Sequence, residues 1–180
     1  MKRALAITWL LAIPAVSVAD PWPSIPIPAE NAAALRHAPA RPPIGDAETR
    51  ARRLVDALGG SAVESADDFF FQREPFLAVK DMSGASRYFA QLVRQYHHDI
   101  ETYRTQLPTG APVHFVRFEP ARSCRWMEIG HEANRLPYWS CYGSRLVVEA
   151  GGREVTFRVQ VMINWGDHWY VTHLGPIPSH

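Results

Sequence analysis

From residue 46 to about 107 the apolar positions recur at helical spacing, and after Pro112 they alternate, so the chain reads as helices first and strands second. Asp46 precedes a stripe of Ala47, Ala51, Leu54, Val55 and Leu58, which predicts a helix capped by Asp46 and stopped by Gly59 and Gly60. Ser61 and Glu64 have capping-box spacing. A second helix is expected to start there, run through Phe69, Phe70 and Phe71, and end at Pro75, leaving 76–79 as a short strand or a turn. The third helix, 84–107, carries Tyr88, Leu92, Tyr96, Ile100 and Tyr103 on one face and is expected to lie across a sheet.

Period-two patterning predicts strands at 113–118, 125–129, 138–149, 154–165 and 168–174. Gly151-Gly152 and Gly166-Asp167 are two-residue turns, and turn positions fix register. Tyr142 should face Val161, Ile163 should face Tyr170, and Trp165 should face His168. One sheet face then carries Val155, Phe157, Val159, Val161, Ile163 and Trp165 beside Tyr138, Tyr142, His168 and Tyr170, and must pack on the helices. The opposite face carries Arg145, Arg158, Gln160, Asn164 and His173 among Trp139, Met162, Trp169 and Val171. Its mixed character suits solvent, a partner protein or a second copy of the chain. The fold class is α+β: helices packed on a curved antiparallel meander, in one domain over 46–180.

Ahead of that domain, prolines 21, 23, 26, 28, 39, 42 and 43 favour extended backbone, so 20–45 is a linker or a strap laid on the surface, with one short helical turn within 29–38. Residues 1–19 read as an export signal: Lys2 and Arg3, an apolar run from Ala4 to Leu11, Pro14, and a small-residue site ending at Ala19. The run is too short to span a bilayer, and no later segment is long and apolar enough, so no membrane span is expected once the signal is removed. In an oxidising compartment Cys124 and Cys141 are expected to pair. The turn at 130–135 lies midway between them and sets them opposite each other.

Composition narrows the function classes. Nineteen basic residues against 18 acidic ones give a net charge of +1 over 180 residues. No basic field points to nucleic acid. No nucleophile elbow, phosphate loop, zinc-binding HExxH or dinucleotide fingerprint occurs. His97, His98, Asp99 and Glu101 invite a metal reading, and His97 and Glu101 at i, i+4 could share one cation, but His98 points to the opposite side and two ligands on an exposed helix face do not make a site, so neither metal nor cofactor is expected.

The order of helices followed by a curled meander, with the closing stretch from Val159 to His173, resembles the nuclear-transport-factor-2-like (SnoaL-like, cystatin-like cone) superfamily over roughly residues 46–176. Only 76–79 could serve as the strand such proteins place between their second and third helices. The resemblance implies a pocket between helix and sheet, and it implies no particular activity, since the superfamily holds both enzymes and binders. Polar groups directed to such a pocket are therefore the candidates. Asp99 lies near the apolar stripe of the third helix, where a carboxylate is partly desolvated and requires a donor. Tyr142, Tyr170, Tyr138 and His168 on the facing sheet are its candidate partners, and Arg104 is another. Two arrangements follow. In one, Tyr96, Asp99, Tyr138, Tyr142, Trp165, His168 and Tyr170 line a site for a small apolar ligand. In the other, Asp99 with Tyr142, Tyr170 or His168 performs acid/base chemistry. Arg145, Arg158, Gln160 and His173 form an anion or partner patch, unless surface acids screen the arginines. Binding without catalysis is the favoured expectation, of a small apolar ligand or a protein partner.

Overall fold

The computed structural model describes residues 25–35 and 37–177; the export signal expected over 1–19 and the first residues of the strap lie outside them. Helices α1 (Ala47–Leu58), α2 (Arg73–Val79) and α3 (Ala85–Arg104) precede strands β1 (Val113–Glu119), β2 (Ser123–Met127), β3 (Tyr138–Ala150), β4 (Arg153–Trp165) and β5 (His168–His173). The five strands form one antiparallel sheet in the order β1-β3-β4-β5, with β2 also pairing with β3. The α+β architecture is as the patterning predicts. Among the described residues no helix is long and apolar enough to cross a membrane.

The hairpin turns set the register as expected. Tyr142 stands opposite Val161, Ile163 opposite Tyr170 and Trp165 opposite His168. Cys124 faces Cys141, and the two form a disulfide. Tyr103 of α3 stacks on Phe157 with ring centroids 4.7 Å apart, which seats α3 over the predicted apolar face. Ile100 and Tyr96 are buried beside it.

The helical half departs from expectation in three places. Asp46 precedes α1 but does not cap it; its carboxylate pairs with Arg50 at 2.7 Å and with His168 at 2.7 Å. The Ser61/Glu64 spacing opens only a 3-10 turn, Val63–Ala66, without a side-chain cap. The Phe69-Phe70-Phe71 cluster is not helical: it leaves a turn at Phe69 and forms a β-bridge at Phe70. The Phe71 N–H donates to the Val171 carbonyl, and the Val171 N–H donates to the Phe69 carbonyl, both at 2.9 Å, so the cluster pairs in parallel alongside β5. Three consecutive aromatics serve an edge well because alternate rings reach both faces. Phe70 packs on Tyr96, and Phe71 on Tyr170. Pro75 does not end a helix. It sits in the first turn of α2, where its missing N–H costs nothing.

The strap docks on the sheet face that the sequence left open to solvent or a partner. Asn31 Nδ2 donates to the Pro137 carbonyl at 3.0 Å, and its Oδ1 accepts from the Gly166 N–H at 2.8 Å. The Trp169 indole N–H donates to the Pro42 carbonyl at 3.3 Å. Trp169 is fully buried, with Met162 and Val171, so this part of the mixed face meets the strap and not solvent or a partner.

Candidate functional site

A cavity of about 270 Å³ lies between α2, α3 and the sheet. Its walls are mostly apolar: Phe71, Phe76, Val79, Leu92, Val161 and Ile163. Met82 and Ile177, 39% and 49% exposed, flank its opening. The volume is at the lower edge of the ~300–1,000 Å³ range of small-molecule sites, and the lining has their usual make-up of apolar walls with a few polar groups.

The polar groups gather at one end. Backbone pairing between Lys80 and Asn134 ties the end of α2 to the turn His131–Ala133. Glu132 and Ala133 adopt left-handed backbone there, at φ 49° and 53°. That conformation is uncommon for residues with a Cβ and costs on the order of 1 kcal/mol or more each. The corner presents the Glu132 carbonyl to Lys80 Nζ, which donates to it at 2.9 Å and to Asn134 Oδ1 at 2.9 Å. The Tyr138 hydroxyl donates to Glu132 Oε2 at 3.0 Å and lies 3.3 Å from Asn134 Oδ1. Burial holds the Lys80 ammonium below the usual lysine range, with Glu132 opposing the shift. Burial raises the Tyr138 hydroxyl, and Glu132 adds to that.

His173 also lines the cavity, beside Thr172. The alternation of β5 sends it to the opposite sheet face, across from Gln160. The structure corrects this: a bulge at Thr172 inserts one residue, so His173 stands opposite Val161 and turns inward. It therefore leaves the arginine patch. Burial lowers its pKa, with Asp99 and Glu132 opposing.

Of the residues proposed for a ligand site, Tyr138 and Tyr142 line the cavity; Tyr96, Asp99, Trp165, His168 and Tyr170 are not among its lining residues. Asp99 is buried, as expected, but none of its expected partners meets it. Oδ1 accepts from Gln95 Nε2 at 2.9 Å, and Oδ2 accepts from the Gly175 N–H at 2.9 Å. The approach is close enough that a Cβ on Gly175 would stand 2.7 Å from Oδ1. Arg104 instead donates to the Ala57 carbonyl at 2.8 Å and to the Ser61 carbonyl. Tyr103 completes the clamp on the C-terminal segment: its hydroxyl donates to the Arg158 carbonyl at 2.7 Å and lies 3.3 Å from that of Leu174. Its pKa is pushed up to about 12 by burial and then by Asp99.

The remaining candidates are tied elsewhere. The Tyr96 hydroxyl donates to the Ala66 carbonyl at 3.1 Å. His168 is held by Asp46, Tyr170 lies under the Arg50 guanidinium at 4.2 Å, and Trp165 meets Phe71 edge-on. The set Asp99, Tyr142, Tyr170 and His168 is thus dispersed. His97 pairs with Asp67 at 2.6 Å, and among the described residues no three potential ligands gather for a cation. Arg145 and Arg158 are cross-strand neighbours, as the register predicts, and Glu119 pairs with Arg145 at 2.7 Å.

Lys80, Glu132 and Asn134 escaped the sequence reading because they lie at element ends, where no periodicity marks them. One signal was available: Lys80 is the only lysine after residue 2. No family model matches the chain, and no curated protein or solved structure matches it.

Proposed function

We propose that the protein is an exported, non-catalytic domain that holds one small, largely apolar molecule in the cavity between α2, α3 and the sheet. The observation that carries this reading is the cavity itself, with apolar walls, a single polar end and exposed Met82 and Ile177 at its opening. Export is supported by the leader-like residues 1–19 and by the Cys124–Cys141 disulfide. The order of helices and then curled meander supports grouping the domain with nuclear-transport-factor-2-like proteins, where a helix–sheet pocket is usual.

Calorimetric titration with 1-octanol tests the reading. Saturable binding of one molecule per chain is expected. Val161→Phe should abolish binding by filling the cavity while the circular dichroism spectrum stays unchanged. Absence of saturable binding to the wild type, or equal binding to the filled variant, sinks it.

A further inference from the structure

This inference rests on the binding reading and concerns what the polar end of the cavity accepts. Lys80 Nζ is held by two oxygens, the Glu132 carbonyl and Asn134 Oδ1. An ammonium has three donors. Among the described residues no acceptor is within hydrogen-bond distance for the third, and Lys80 lines the cavity. Glu132 lines it as well, its carboxylate meeting Arg125 at 3.4 Å and the Tyr138 hydroxyl at 3.0 Å, so a carboxylate ligand would meet a like charge that already has its partners. A neutral carbonyl carries no such cost. At ~30 Å³ per water-sized group, the volume admits a molecule of roughly nine heavy atoms.

We propose that the cavity takes a small aliphatic aldehyde or ketone and that Lys80 Nζ captures its carbonyl carbon as an imine. The two oxygens pin two N–H bonds, so once the third proton has left to solvent the lone pair occupies the one uncommitted position of the nitrogen. It attacks the carbonyl carbon and the C–N bond forms. The carbonyl oxygen then takes one proton from the nitrogen and recovers one from solvent, the C–O bond breaks, and water leaves. In net, two of the three ammonium protons depart with the oxygen, and the iminium keeps the positive charge beside Glu132. No oxidant or reductant is required. The burial that disfavours the ammonium acts in the same direction, as at other amine nucleophiles in apolar sites.

The exported chain is incubated with octanal and sodium cyanoborohydride at pH 7, and the alkylated positions are mapped by peptide mass spectrometry. Alkylation of Lys80 about tenfold faster than of Nα-acetyl-lysine in the same solution is expected, as positioning in a site accelerates a bimolecular step. Lys80→Arg should lose the fast-labelled peptide, leaving only alkylation at the rate of the free amine. If 1-octanol binds the wild type but Lys80 reacts no faster than the free amine, the imine is overturned and the binding reading stands. If neither 1-octanol nor octanal binds, both fail together.

Discussion

A buried carboxylate, Asp99, and a half-buried ammonium, Lys80, pack beside the same helices and differ in how they are finished. At Asp99 a carboxylate receives the Gln95 amide and the Gly175 N–H, Gly175 lies against it, and it does not line the cavity between α2, α3 and the sheet. At Lys80 a cation reaches two oxygens, retains one donor and borders a void. Asp99 is withdrawn from water and its oxygens are filled, whereas Lys80 is half-buried, with its ammonium 5.9 Å from the Tyr138 ring centroid and one donor without an oxygen acceptor among the described residues. The backbone follows the same division, since the two left-handed residues with a Cβ among the described residues, Glu132 and Ala133, stand at the open cluster.

The contrast can be broken from either side. The largest effect is expected at the closed cluster. Asp99→Ala strands the Gly175 N–H and should cost about 2–3 kcal/mol in denaturant unfolding, the range for a buried hydrogen bond to a charged group, while 1-octanol still binds. Loss of binding with stability intact would reverse the assignment of the two clusters. A smaller effect of opposite sign is expected at the open one. Ala133→Gly removes the Cβ from a left-handed position and should stabilise the fold by about 1 kcal/mol. Destabilisation would mean that the corner is not strained. The smallest effect comes from His173. Its folded pKa is lowered, so the unfolded chain takes up the proton first as pH falls below about 6.5, and stability declines from there down through the folded pKa. The acid limb of a thermal-midpoint profile should be flatter in His173→Gln than in the wild type; identical limbs would place His173 in water.

The sheet was legible in the sequence because two glycine turns number every residue on β3, β4 and β5. Pairs such as Tyr142 with Val161 follow from counting alone. Counting fails where the chain inserts a residue: Thr172 carries no mark of a bulge, and beyond it His173 changes face. The phenylalanine cluster is not legible because Pro75 reads equally as the stop of one helix and as the first turn of the next. The burial of Asp99 was legible from the wheel of α3. Its partner was not, because Gly175 lies 76 residues away along the chain. Lys80 and Asn134 meet by a backbone bridge between two loops, for which no local pattern exists.

The docking of the strap has a consequence for how this chain is made. Asn31 is translated long before Gly166, 135 residues downstream, and Pro42 long before Trp169, 127 residues downstream. The strap thus has no resting place until the β4–β5 hairpin is complete. Docking of the strap therefore waits on a hairpin made much later, and a product lacking β5 would carry an untethered strap and a bare greasy sheet together.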